Sequence, residues 1–262
     1  MKNEQLTKVT LPKDAWAELD NETQFAILLL GHIFNEIVTL EKLLVATHPH
    51  DQQTRIERSG SVSQSTLLQR ILVGKLYEAK ASLSSKIINR FLKDKCFPHM
   101  QEGEGEALLK DFHRSIGACQ WLPDARNKHS LHYPTMGVWE PLINGMRVQK
   151  EAFKFIMGSR DGDLLYETAD NIANMSFFAN AGGGDWKSGV DIAFTEIRAI
   201  SKKLHELITV SIDAFFTAYG SRKLPASKRL KLKQAETFST PRLLTFKIPY
   251  FFDLRGSIDD SE

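Results

Sequence analysis

The chain has 262 residues, 42% hydrophobic and 25% charged, with a formal net charge of +2 and a pI of about 8.4. These ordinary globular values exclude general disorder and predict a packed core, in one large domain or one domain with insertions. The charge balance is too mild to point to a nucleic-acid partner by itself, so its distribution matters more.

Cys96 and Cys119 match no zinc-ligand spacing and are too few for a disulfide scaffold. A reducing, cytoplasmic setting follows as the expectation. Residues 1–20 are polar and lack the apolar stretch of a secretory signal. They read as an N-terminal arm. The densest apolar run, Phe25 to Leu30, is interrupted at Gly31-His32. It falls far short of the roughly 20 residues needed to cross a bilayer, so no membrane span is expected.

A first helix is predicted from Asn21, a good N-cap residue, with Phe25, Leu28, Leu29, Ile33, Ile37, Leu40 and Leu44 at helical spacing. It should end by His48-Pro49, because the residue before proline avoids the α region. A Ser/Gly-rich link at Ser59 to Ser65 precedes a second helix, striped by Leu67, Leu68, Ile71, Leu72, Leu76, Leu83, Ile87, Phe91 and Leu92 and ended at Cys96-Phe97-Pro98. A third is predicted from about Glu106 to Trp121. Pro123 suits the first turn of a short fourth helix, which carries Arg126 to Leu131 and stops at Pro134. Phe153 to Met157 and Leu164 to Tyr166 flank an Asp161-Gly162 turn signal, predicting a small β-hairpin near 153–166. Ala181 to Gly184 reads as a flexible hinge. A last long helix carries Val190, Phe194, Ile197, Ile200, Leu204, Leu207, Ile208, Phe215 and Tyr219 in register. Residues 221–262 form a tail, basic from Arg222 to Lys233 and then aromatic around Phe246 to Phe252.

One segment, Arg126-Asn-Lys-His-Ser-Leu-His132, suits metal-free cleavage of RNA. That reaction needs help in removing the 2′-hydroxyl proton, a counter-charge for the phosphate, and an acid for the departing 5′ oxygen. Histidine suits proton transfer because it titrates near neutrality. Arginine suits the phosphate because its guanidinium is always charged and presents a planar fork of donors. On an ideal α-helix Arg126 and His129 lie about 60° apart and Arg126 and His132 about 120° apart. Pro134 places His132 at the helix end, where its side chain can be redirected.

This segment resembles the signature of HEPN-superfamily proteins, including abortive-infection and toxin-type members: an arginine, a polar residue straight after it, and a histidine a few residues on. Arg126 matches the arginine, Asn127 the polar residue and His132 the histidine. The resemblance implies a mainly α fold, an antiparallel helical bundle over residues 21–220 with the small hairpin as an insertion. It also implies a homodimer that brings two copies of the motif into one cleft. The activity it implies is that of a metal-independent endoribonuclease, in phage defence or a toxin–antitoxin system with an antitoxin protein as partner. Arg126 and His132 would form the site and Asn127 would support it.

His129 reads either as a second catalytic or substrate-contacting group, or as a solvated or dimer-facing side chain. Lys128, Arg222, Lys223, Lys228 and Arg229 are candidate RNA-phosphate contacts, against the plainer reading of solvated charge. A metal site from His129, His132 and Asp124 or His113 lacks any recognised ligand pattern, so no metal or cofactor is expected. The alternative to an enzyme is a non-catalytic helical module that binds RNA or protein.

Overall fold

The computed structural model describes residues 3–8, 11–130, 132–159, 163–223, 233–239 and 247–251, with side chains for all of these except 3–8, 220–223 and 233–239. The protein is mainly helical. In chain order come β1 (Asn3–Lys8), α1 (Lys13–Ala17), α2 (Asn21–Thr47), α3 (Arg55–Ser84) and α4 (Lys86–Phe91). A π-helical turn (Leu92–Cys96) and a 3₁₀ turn (Phe97–His99) lead to α5 (Glu104–Ala118) and α6 (Leu122–Ala125). A second π-helical turn (Arg126–Ser130) precedes α7 (Met136–Gln149), β2 (Ile156–Met157), β3 (Leu164–Leu165), α8 (Glu167–Ala181), α9 (Trp186–Lys223) and β4 (Lys233–Ser239).

The predicted first helix has the expected bounds. Its cap is Asp20 rather than Asn21, because Asp20 Oδ1 accepts the Thr23 amide at 2.8 Å. That bond holds the Asp20 carboxyl below its usual pKa. Although its apolar run is short, α2 as a whole is long and apolar enough to cross a membrane by length and composition. Its Ala26, Leu30, Ile33 and Ile37 stripe is buried, while Phe25 and Leu28 are exposed.

The Ser/Gly stretch at 59–65 is helical, not a link. Its hydroxyls turn back on the helix, as where Thr66 Oγ1 donates to Val62 O at 2.8 Å. Its small residues admit neighbours: a Cβ at Gly60 would lie 2.5 Å from Tyr250 Cβ. The predicted second helix breaks at Ser85, which caps α4 by accepting the Ile88 amide. Ala181 to Gly184 is a hydrogen-bonded turn rather than a loose hinge. Gly184 N donates to Ala179 O at 2.8 Å, and Gly183 and Gly184 adopt φ of +62° and +108°. Asp185 then caps α9 through the Lys187 and Ser188 amides.

The chain divides into two compact units, and three of the divisions fall within α2, α3 and α9. One unit comprises residues 1–38, 76–119 and 198–242. Its core includes Leu30, Leu83, Ile88, Leu92, Phe112 and Leu204. Phe215 packs on Phe91 and stacks on Tyr219, whose hydroxyl donates to Ala15 O at 2.7 Å. Here the expected arm and tail meet: β1 and β4 pair antiparallel from Asn3↔Ser239 to Lys8↔Lys233. A cavity of about 660 Å³ lined by Trp16, Phe34, Ile212 and Phe216 contains none of the sequence-predicted site residues.

The other unit comprises residues 39–75, 120–197 and 243–262 and holds the motif. Trp121 anchors it: its ring sits edge-on to Phe177, its Nε1 donates to Glu196 at 2.6 Å, and its carbonyl accepts from Asn180. The predicted hairpin is present as β2 and β3, paired Ile156↔Leu165 and Met157↔Leu164. Its Asp161-Gly162 turn lies outside the described residues. Residues 247–251 pack here, with Ile248 N donating to Ala46 O and Lys247 Nζ to His48 O.

Candidate functional site

Trp121 and Leu122 are buried, and Pro123 opens α6 at its first turn. The next residues widen into the π turn rather than continuing as α-helix, so the ideal-helix angles do not apply. π turns are rare and are frequent at functional sites. This one buries a single side chain, His129, leaves Arg126 half-buried and exposes Asn127 and Lys128.

Within it Arg126 Nη1 donates to Asn127 Oδ1 at 2.9 Å. Lys128 pairs with Asp124 at 2.6 Å, so its charge is partly neutralised. Ser130 Oγ donates to Ala125 O at 3.2 Å. Leu131 lies outside the described residues; beyond it His132 and Tyr133 are exposed ahead of Pro134. The structure thus joins Arg126 to Asn127 and leaves His132 at the surface. Among the described residues no bond within the single chain links His132 to Arg126.

The expectation of a solvated or dimer-facing His129 is overturned. Its residue is only 8% exposed, and its ring lies edge-on to Phe177 at 6.1 Å. Burial is the main cause that pushes its pKa down to about 4; Arg70 and Lys128 add to the depression and Asp124 opposes it. A neutral imidazole so far from its usual range is not poised to donate a proton near neutrality.

Arg70 was not anticipated from sequence. It lies on α3, its pKa is lowered by burial, and the Asp170 carboxylate opposes that shift. Among the described residues its Nε has no acceptor, nor have the side-chain amides of Gln69 and Asn174 any partner. Asp170, Asn174 and Phe177 follow at i, i+4 and i+7 along one side of α8. A polar seam of Arg70, His129 and Asp170 therefore underlies the motif. The available signal was Gln69, which shares helical spacing with Thr66, Val73 and Leu76; all four are buried, while Leu67 is exposed.

Arg222 and Lys223 end α9, with side chains that are not described; Lys228 and Arg229 lie outside the described residues. Among the described residues no group of three or more His, Cys, Asp or Glu is gathered as a metal site requires. Comparison of the chain with protein-family models, curated proteins and solved structures found no match.

Proposed function

We propose that this chain is a metal-independent endoribonuclease of the HEPN type, acting as a homodimer in phage defence or as a toxin. The observation that carries the reading is the π turn in which Asn127 holds the Arg126 guanidinium, with His132 exposed on the same segment. A guanidinium fixed at a surface is preorganised to meet a phosphate oxygen without ordering cost. An exposed imidazole can exchange protons with a bound substrate.

In this scheme the RNA 2′-oxygen attacks the adjacent phosphorus as the bond to the 5′ oxygen breaks. The products are a 2′,3′-cyclic phosphate and a 5′-hydroxyl. One His132 accepts the 2′-hydroxyl proton, and the partner's His132 returns a proton to the leaving oxygen. Arg126 meets the charge that builds on the phosphoryl oxygens. His129 and Arg70 serve beneath the site, fixing the turn rather than transferring protons.

The test uses purified protein and total RNA in the presence of a chelator. Wild type cleaves and leaves cyclic-phosphate ends, whereas Arg126→Ala and His132→Ala lose roughly 10² to 10³ in rate. Equal cleavage by wild type and both variants would falsify the assignment. Binding of RNA without cleavage by any of the three favours the non-catalytic module.

A further inference from the structure

The hairpin that the motif reading leaves unused has an unusual surface. Alternation along a strand sends successive side chains to opposite faces. Leu165 and Ile156 take the inner face, Leu165 buried and Ile156 half-buried. The outer face carries Phe153, Phe155 and Tyr166, which are 60%, 53% and 53% exposed, with Met157 and Leu164 beside them. The three rings form a triangle with centroids 6.4–6.5 Å apart, tilted by 38–50° so that ring faces remain open. Clustered rings in water are costly and mark a binding surface.

The platform is held in place. Lys154 N donates to Thr168 Oγ1 at 2.7 Å, and Thr168 N donates back to Lys154 O at 3.1 Å. Gly158 N donates to Asp163 O at 2.7 Å, and the Tyr250 hydroxyl donates to Leu164 O. Its charge is also selective. Arg147 and Lys150 are exposed in the segment that leads into Phe153, and among the described residues neither has an ion-pair partner. Glu151 is the exposed acid among them; Glu167 accepts from the Ser59 hydroxyl. Open rings preceded in the chain by unpaired cations suit a ligand that has flat faces on an anionic backbone, which is a single-stranded nucleic acid.

We propose that Phe153, Phe155 and Tyr166 form a base-stacking subsite for single-stranded RNA, with Arg147 and Lys150 meeting its phosphates. The proposal rests on the ribonuclease reading for the use made of the bound strand, but binding is measured separately from cleavage.

The experiment is fluorescence anisotropy with a short 2′-O-methyl oligoribonucleotide, which cannot be cleaved, and with an abasic oligomer of equal charge. Wild type binds the base-bearing strand roughly tenfold more tightly than the abasic one. Phe153→Leu and Phe155→Leu, which keep apolar bulk but remove the ring, erase that preference; Tyr166→Phe keeps it. A leucine variant that retains the preference overturns the proposal. So does a wild type that binds both strands alike. A shift of the leucine variants from dimer to monomer with RNA binding intact also overturns it, and makes the face an interface between copies. Loss of base preference in ring variants of a protein that never cleaves RNA leaves the subsite standing and removes the ribonuclease reading. Cleavage that is lost only in Arg126→Ala, with ring variants binding as wild type, does the reverse.

Discussion

The chain contains two π-helical turns of five residues, Leu92–Cys96 and Arg126–Ser130, and they are put to opposite uses. The first buries Leu92 and Cys96 completely and turns Lys93, Asp94 and Lys95 to solvent. Burial pushes the Cys96 thiol up to about 12, so it is chemically inert. Apolar packing alone accounts for that turn. The second buries an imidazole near a guanidinium and presents polar groups outside. Burying such groups costs free energy that packing does not return. A distorted turn that is both irregular and polar calls for a role beyond folding, whereas one that is irregular and apolar does not.

The largest expected effect sharpens this contrast. Arg126→Lys keeps the charge and loses the fork. It should cost about 3 kcal/mol of transition-state stabilisation, roughly a hundredfold in cleavage rate, while the urea midpoint stays put. Leu92→Ala should do the converse. It removes a fully buried side chain and should lower unfolding free energy by about 3 kcal/mol, with cleavage per folded molecule unchanged. A Leu92→Ala protein that is as stable as wild type but slow would reverse the roles given to the two turns.

Acid should reveal the second turn next. The folded-state pKa of His129 is about 4, below the roughly 6.5 of an unfolded imidazole, so the unfolded chain binds the proton first. The resulting stability is fully present above about pH 6.5 and is lost as pH falls from there towards 4. The loss should be about 2 kcal/mol, after allowance for screening near the surface. His129→Phe, which keeps a ring against Phe177, should flatten urea midpoints over that window. An unchanged pH dependence in the variant would mean that His129 is not the group responsible.

How far these features were legible depended on whether burial and apolar character coincided. In α2 they did in part: Ile33 and Ile37 are buried although Phe25 and Leu28 are exposed, and Pro49 and a polar start marked both ends. In α3 they did not: Gln69, Ser61 and Ser63 are buried while Leu67 and Ile56 are exposed. Its Ser/Gly stretch read as a link because the neighbours that need small residues, Tyr250 and Glu167, are distant in sequence. α7 was hidden because it has no buried residue and contains Pro141. α8 was hidden because Thr168, Asn174 and Ser176 interrupt its buried face. The Arg126–Asn127–His132 segment was visible because its residue types carry the chemistry. The π turn was not, since nothing local distinguishes it from an α-helix, and neither was Arg70, which joins the seam only through tertiary folding.

The smallest predicted effect bears most directly on the proposed site. Asn127 engages one of the five guanidinium donors of Arg126 through its side-chain oxygen. Asn127→Ala removes that restraint without removing charge. The guanidinium then samples more rotamers before meeting phosphate, at a cost of about 1 kcal/mol and a roughly fivefold lower kcat. Since Asn127 is exposed, stability should barely change. Asn127→Asp separates positioning from charge: it holds Arg126 more firmly but sets an anion beside the phosphate, so it should lose more rate than alanine despite the stronger bond. If both variants turn over RNA like wild type, the hydrogen bond seen in the turn is incidental, and Arg126 meets its phosphate, if it meets one, without help from its neighbour.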